Sequence, residues 1–223
     1  NQRMEGEVIM SKAGKTGVTT GTPKNILFGA GTIHKNLEYK AESGWNFEES
    51  IIGATSGGSK VSITPEFYDV EVDGVLVPTK GLKQKIGETA EMEINFVELT
   101  EEIIKSSTIG KNGSSEDSSY TLIESKSSLS DGDYYDNIAF VGQMLDGRNI
   151  IVIFENTLCT SGMEQEGKSK EGAVGAYTFA CHADIEDDTD NTFSVHKTLL
   201  SNNVLIVENI DLRNVKPGIY KFY

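Results

Sequence analysis

Residue types that anchor common functional sites are scarce in this chain of 223 residues. Two cysteines, Cys159 and Cys181, are too few for a disulfide scaffold, and we expect both to be reduced structural residues. The three histidines, His34, His182 and His196, show no metal-ligand spacing. No apolar run approaches the ~18 residues that a membrane helix needs, so no membrane role is expected. The first ten residues also lack the order of a secretory signal and suit an internal or mature segment.

Basic residues are few relative to acidic ones: 20 Lys and Arg stand against 34 Asp and Glu, a formal net charge of -14. Such a surface repels nucleic-acid phosphates and anionic membranes. The chain is therefore not expected to grip nucleic acid, and the charge fits either a surface that DNA slides past or simple solubility. With 37% hydrophobic residues the chain can form one good core, but it is short for two ordinary domains.

Period-two alternation, the signature of a half-buried strand, is clearest at residues 88–98. The apolar face carries Ala90, Met92, Ile94 and Phe96, and the polar face carries Glu91, Glu93 and Asn95. The pattern predicts that the first set lies in the core and that the second set meets water.

The remaining segments also favour β structure. Further strands are predicted at 25–33, 120–124, 137–145, 149–159 and 173–182, with a turn at Gly57-Gly58 and hairpin turns at Asp73-Gly74 and Asp146-Gly147. Thr100 and the acidic residues after it predict one short helix over about 100–108. The expected fold is mainly β: an antiparallel sandwich or barrel with one lateral helix. We divide the chain into an N-terminal arm (1–24), a β-sandwich domain (25–190) and a C-terminal extension (191–223).

No motif for catalysis or cofactor binding is complete. The Gly-Lys-Thr at 14–16 lacks the first glycine of a phosphate loop, and segment 53–60 has its Ser and Lys in the wrong order. The acidic run 184–190 fails the EF-hand spacing, which leaves an irregular calcium site or a solvated loop. Cys159 with His182 as its base, or Glu91 with Glu93 as a glycosidase pair, is only loosely supported. We predict no enzyme, no cofactor and no metal site.

Residues 51–99 resemble the central block of the tail tube proteins (major tail proteins) of long-tailed bacteriophages of Gram-positive bacteria. An Ile-Gly-Ala-Thr-x-Gly-Gly segment ends at Gly58, and a strand with aspartate, valine and Asp-Gly follows. A Lys-Gly-Leu-Lys stretch at 80–83, the Glu-rich alternating strand and a Leu-Thr-Glu helix start at 99–101 complete the block. The Asp-Gly-Arg turn at 146–148 and the strand after it fit the same order. The resemblance covers roughly residues 25–190.

This resemblance implies a β-sandwich subunit that forms hexameric rings, stacked head-to-tail into the tail tube of a virion after assembly in the bacterial cytoplasm. Implied partners are further copies of the chain, a tape measure protein, and tail initiation and terminator proteins; DNA passes through the lumen during ejection without specific binding. Glu91, Glu93 and Asn95 are candidates to line the lumen, and a position facing outer water is the alternative. Candidates for contacts between subunits or rings are Trp45, Phe47, Val204, Ile206 and Tyr220.

Two other interpretations stay open. A surface β-sandwich module on a virion or cell would bind sugar or a receptor through an exposed aromatic patch, for which Trp45, Phe47, Tyr134 and Tyr135 are candidates. A tail terminator, a head–tail connector or the tube of a contractile tail would share the fold. A tube protein polymerises, whereas a terminator stops at one ring.

Overall fold

The computed structural model describes residues 17–167, 169–170, 172–184 and 193–197. The strands are β1 (Leu27–Lys35), β2 (Tyr39–Lys40), β3 (Gly44–Trp45), β4 (Thr55–Asp69), β5 (Lys83–Phe96), β6 (Gly110–Asn112), β7 (Ile123–Ser125), β8 (Tyr135–Met144), β9 (Asn149–Cys159), β10 (Gly175–Ala180) and β11 (Phe193–Lys197). The α-helices are α1 (Phe47–Ser50) and α2 (Glu101–Thr108), and 3-10 turns occur at Thr22–Asn25 and Asp131–Asp133.

The main sheet has seven antiparallel strands. Six run in the order β1-β8-β9-β10-β5-β4, and β11 pairs with β9. Two small sheets, β2-β3 and β6-β7, accompany it. The prediction of a mainly β, antiparallel fold is therefore confirmed. Residues 193–197, which lie in the range assigned to the C-terminal extension, form a strand of the main sheet.

The sheet turns back on itself at β9. The first part of β9 pairs with β8 and β11, whereas its end pairs with β10 through Leu158 and Cys159. Between the two parts Asn156 has a φ of 45°, a left-handed conformation that Asn tolerates better than most residues. Phe154 before it and Cys159 after it both enter the main core, so the inward-facing positions switch from even to odd numbers. This break lets one strand serve both layers of a sandwich.

The main core lies between the two layers. The layer of β1, β8 and β9 contributes Ile33, Ile138, Phe140, Val152 and Phe154, and the layer of β5 and β10 contributes Ala90, Met92, Ile94, Phe96, Tyr177 and Phe179. The four apolar residues predicted on one face of β5 are all buried, which confirms the alternation. Each fully buried large side chain contributes ~1.5–3 kcal/mol through the hydrophobic effect, so this cluster is the main source of stability.

A second cluster covers the opposite face of β8 and β9. It contains Leu37, Ala139, Ile151 and Ile153, with Trp45, Phe47 and Val141 packed against it. The β2-β3 hairpin and α1 bring the two large aromatic rings onto this face. The sequence predicted one helix, and α1 is a second, which corrects that prediction. Four residues are too few to produce a helical period, and packing on the cluster stabilises the turn instead.

Helix α2 forms where the sequence predicted it. Thr100 is the N-cap, and its side-chain oxygen accepts a hydrogen bond from the backbone N–H of Ile103 at 3.2 Å. Ile103 is fully buried and belongs to the main core. Outside the core, Glu102 is ion-paired with Lys35 of β1. The helix therefore closes one flank of the sandwich through one apolar anchor and one ionic contact.

One turn prediction was wrong, and a second was right about the turn but wrong about the strands beside it. Gly57 and Gly58 do not end a strand, because β4 runs through them and their positive φ angles, 84° and 83°, form a bulge between Thr55 and Ser59. Asp73-Gly74 does turn, but its valine neighbours form no strands. It lies within residues 70–82, which connect β4 to β5. The prediction of a hairpin at Asp146-Gly147 is confirmed, because it joins β8 to β9.

Candidate functional site

The predicted lumen residues lie on the outer face of β5. Glu91 and Glu93 are exposed and stand opposite Ser62 and Lys60 of β4. Asn95 is half-buried, and its side-chain amide donates to the carbonyl of Gly58 at 3.0 Å. Asn95 therefore has a local structural role in fixing the β4 bulge. The two glutamates form part of an exposed polar surface, and the lysine opposite Glu93 offsets some of its charge.

The most exposed part of the described chain is the end of the β4-β5 hairpin, residues 64–86, which we call the arm. Every residue from 64 to 81 is exposed. The arm nevertheless carries large apolar side chains: Phe67, Tyr68, Val70, Val72, Val75, Leu76, Val77 and Ile86 are all exposed, with Leu76 at 96% and Val77 at 68%. Single exposed apolar residues are ordinary, but a concentration on one projecting hairpin marks an interaction surface.

The arm is ordered by contacts between its two strands. Lys83 donates to Asp69 at 3.0 Å, and its ammonium group lies 5.6 Å from the centroid of the Phe67 ring. The backbone N–H of Val70 donates to the carbonyl of Leu82 at 2.7 Å, which extends the pairing past the strand ends. The β4-β5 pairing continues from these residues back into the body, with one bulge between Glu66 and Phe67 where the register shifts. The arm is therefore a continuation of β4 and β5 with a defined direction.

Strand β4 also offers a free edge. It is an end strand of the main sheet, and among the described residues it pairs along its length with β5 alone. Near its start the edge is not open: Ile51 forms a β-bridge with His34, the N–H of Ile52 donates to the carbonyl of Ile33, and β1 lies close to part of β4. The open part of the edge is the part beyond this contact, toward the arm. An unpaired edge presents a row of backbone donors and acceptors that another strand can bind. The arm and this edge belong to the same strand.

The predicted contact residues have different surroundings. Trp45 and Phe47 stack on each other with ring centroids 6.3 Å apart and are half-buried on the second cluster of their own chain. Three of the predicted contact residues, Val204, Ile206 and Tyr220, lie outside the described residues. So do residues 185–190 of the acidic run and residues 1–16 of the predicted N-terminal segment (1–24).

The aromatic residues proposed for a binding patch do not lie together. Tyr135 packs against the main core, with its ring centroid 6.1 Å from that of Phe179, and burial raises its pKa well above the usual value. The ring of Tyr134 packs in a T-shaped arrangement with that of His182, with centroids 5.3 Å apart. Trp45 and Phe47 belong instead to the second cluster, on the opposite face of β8 and β9. The four rings are thus divided between two places and serve packing within the chain.

The structure does not join Cys159 to His182. Cys159 is buried, its sulfur lies 3.8 Å from the hydroxyl of Ser161, and burial raises the pKa of the thiol. His182 contacts the carbonyl of Asn156 through Nδ1 at 3.3 Å. Because the thiolate is the reactive form, a raised pKa suits a structural cysteine better than a nucleophile. Both cysteines are free thiols.

The described residues contain no group of three or more His, Cys, Asp or Glu side chains arranged to hold a metal ion. One polar groove of about 790 Å³ separates α2 from residues 126–135. Two of its three lysines, Lys105 and Lys126, are ion-paired with Glu101 and Asp133, so part of the charge in the groove is neutralised locally. None of the helices in the described part of the chain has the length and apolar character needed to cross a membrane.

Neither a protein-family model nor a curated protein matches the chain. Its two most distinctive surfaces, the apolar arm and the free edge of β4, were missed by the sequence reasoning. The available signal was the valine-rich segment 70–77, whose Asp-Gly pair suggested a tight hairpin rather than the tip of a long one.

Proposed function

We propose that the chain is a structural subunit that assembles with copies of itself into stacked hexameric rings, forming a tube of the phage-tail type. The observation that carries this proposal is the arm, which places eight large apolar side chains in solvent on one projecting hairpin. Such a surface is unfavourable in an isolated molecule and becomes favourable when a neighbour covers it. The resemblance of residues 51–99 to tail tube proteins supplies the form of the assembly.

The free edge of β4 supports the same proposal. Pairing this edge with a strand of the next subunit would satisfy its backbone groups and continue the sheet around a ring. A contact between two different surfaces of identical subunits forms either a closed ring or an open filament, depending on the rotation that relates them. A tube of stacked rings needs contacts that close each ring and contacts that join one ring to the next. The edge is suited to contacts around the ring, and the arm to contacts that reach another ring.

In this tube the outer face of β5 is the proposed lumen surface. Glu91 and Glu93 would present carboxylates to passing DNA, and like charge would keep the phosphates from adhering. The proposal also implies that the protein is located in the virion. Its implied partners are a tape measure protein and tail initiation and terminator proteins. It assigns no catalytic residue and no cofactor. The four rings that suggested an aromatic-patch module are divided between two packing sites, which disfavours that alternative.

Negative-stain electron microscopy of the purified chain at rising concentration, with light scattering alongside, tests the proposal. The informative variant is Leu76→Asp with Val77→Asp, which places two charges at the arm tip without touching the core. The matched control is Leu129→Asp, because Leu129 is 52% exposed and lies outside the arm, between β7 and the 3-10 turn at Asp131–Asp133. The wild type and the control should form stacked rings or hollow tubes, whereas the arm variant should remain folded and stop at single rings or monomers.

Two results would count against the tube. One is stacking of the arm variant at the wild-type concentration, which would remove the arm from the contact between rings. The other is a wild type that stays monomeric both alone and with tail initiation proteins. Wild-type rings that never stack would favour a terminator or connector instead.

A further inference from the structure

Two histidines flank the aromatic rings that close the second cluster. We call residues 37–50 the cover, since they carry β2, β3 and α1 across the outer face of β8 and β9. The ring centroids of His34 and Phe47 lie 5.7 Å apart and those of His196 and Trp45 lie 5.3 Å apart, each pair in a T-shaped arrangement. Phe47 and Trp45 stack on each other, so the four rings form one row from β1 to β11.

His34 holds the end of the cover through hydroxyl groups. It is 2% exposed; its Nδ1 lies 2.8 Å from the hydroxyl of Ser50, the last residue of α1, and its Nε2 lies 2.8 Å from the hydroxyl of Thr32. Ser50 in turn donates to the carbonyl of Phe47 at 3.3 Å. A neutral imidazole satisfies both contacts, donating through one nitrogen and accepting through the other. A protonated ring would donate at both nitrogens, and both hydroxyl oxygens can accept, since Thr32 can turn its own proton to the carbonyl of Val141 at 3.5 Å. The cost of protonation is therefore the burial of a cation that has almost no access to water.

The start of the cover has an anchor that does not titrate. The side chain of Asn137 accepts from the N–H of Leu37 at 2.8 Å and donates to the carbonyl of Leu37 at 3.2 Å. The cover is thus fixed at one end by an amide and at the other by an imidazole. Between these anchors its main attachment is the packing of Trp45 and Phe47 on the cluster.

The charged groups on the surrounding elements have other partners or positions. Around His34, Lys35 of β1 is paired with Glu102 of α2, α1 carries the exposed Glu48 and Glu49, and β8 places Ala139 opposite. Around His196, the two nearby lysines have partners: Lys197 donates to Asn25, and Lys40 is ion-paired with Glu38. The other elements present uncharged side chains, namely Tyr39 of β2, Trp45 of β3 and Ile151 of β9. The hydrogen-bond partner of His196 is the hydroxyl of Ser194 at 3.2 Å. Among the described residues, neither imidazole is paired with a carboxylate that would stabilise its cation.

We propose that the cover is an acid-operated device: protonation of His34 and His196 releases it and exposes the apolar outer face of β8 and β9. Burial lowers the pKa of both imidazoles from the ordinary 6.5. A group with a lowered pKa in the closed state binds its proton more readily in the open state, so the closed state loses stability as pH falls below 6.5. Above that pH the cover stays closed.

Trp45 is the only tryptophan of the chain, so its fluorescence reports on the cover alone. The experiment follows Trp45 emission and the binding of an apolar dye from neutral to mildly acidic pH, with far-UV circular dichroism as a monitor of the sandwich. We expect a red shift of the emission and a gain of dye binding below pH 6.5, while the strand signal is retained. The double variant His34→Gln with His196→Gln should lose both changes.

His182→Gln is the matched control, since His182 is the third and last histidine and contacts Tyr134 rather than the cover. It should behave as the wild type does. If the double variant does not fold, NMR titration of the wild-type imidazoles provides the same test, because the Trp45 shift should follow the protonation of His34 and His196. The inference is overturned if the shift persists in the double variant, if the wild type shows none before it unfolds, or if the imidazoles titrate while Trp45 does not respond. The test does not depend on tube assembly, because it is made on dilute monomer.

Discussion

Neighbouring residues on β5 should differ sharply in their contribution to stability. Ile94 is fully buried and lies opposite Tyr177 and Ser59, whereas Glu93 is exposed on the other face. Ile94→Ala removes three carbons from a packed core and leaves a cavity, which costs ~2–5 kcal/mol. Glu93→Ala changes only a solvated surface, where substitutions usually stay within ~0.5 kcal/mol. For a chain of this size each kcal/mol lowers Tm by ~2–4 °C, so Ile94→Ala should lose ~4–20 °C.

Thermal unfolding followed by far-UV circular dichroism measures this pair. Both variants must be compared at one low protein concentration, because self-assembly would raise the apparent Tm by mass action. Urea unfolding should give the same order of stability with a similar slope for the two variants. Equal losses for Ile94→Ala and Glu93→Ala would refute the assignment of the two faces of β5. A larger loss of stability for Glu93→Ala would mean that Glu93, and not Ile94, faces the core.

Two further substitutions test local features of the fold. Thr100→Ala removes the acceptor of the Ile103 N–H and should lower the free energy of unfolding by ~1 kcal/mol, measured by urea denaturation, with Thr100→Ser retaining most of it. Gly31→Ala should destabilise by more than ~1 kcal/mol, because Gly31 has a φ of 71° and an added Cβ would lie 2.5 Å from the Phe140 ring. Gly132→Ala is its control, since open space surrounds that position, and equal melting temperatures for the two glycine variants would contradict the argument.

The sequence predicts the fold best where one local signal agrees with the packing. Period-two alternation identified the buried face of β5, and Thr100 with the acidic residues after it located α2. The Asp146-Gly147 pair identified the β8-β9 hairpin, because both flanking segments are also strands with a buried face. In these cases residues that are close together in the sequence are sufficient to predict the local structure.

Prediction was weaker where one signal has two structural outcomes. A glycine pair supplies positive φ equally well to a turn and to a bulge, so Gly57-Gly58 could not be assigned from its neighbours. The left-handed residue at Asn156, which moves β9 from one layer to the other, has no local sequence mark. The row of rings from His34 to His196 joins residues 162 positions apart, and only the tertiary fold brings them together. The candidate surfaces were therefore the least predictable part.

The exposed apolar side chains explain why the arm is the part suited to meet another copy. Residues 64–86 contain four acidic and three basic residues, a net charge of -1, which is close to the share that the chain's net charge of -14 gives to a segment of this length. Charge therefore does not set the arm apart, whereas its concentration of exposed apolar side chains does. Covering the hairpin with a neighbouring copy removes this apolar surface from water, which favours association, while the acidic charge of both copies opposes it.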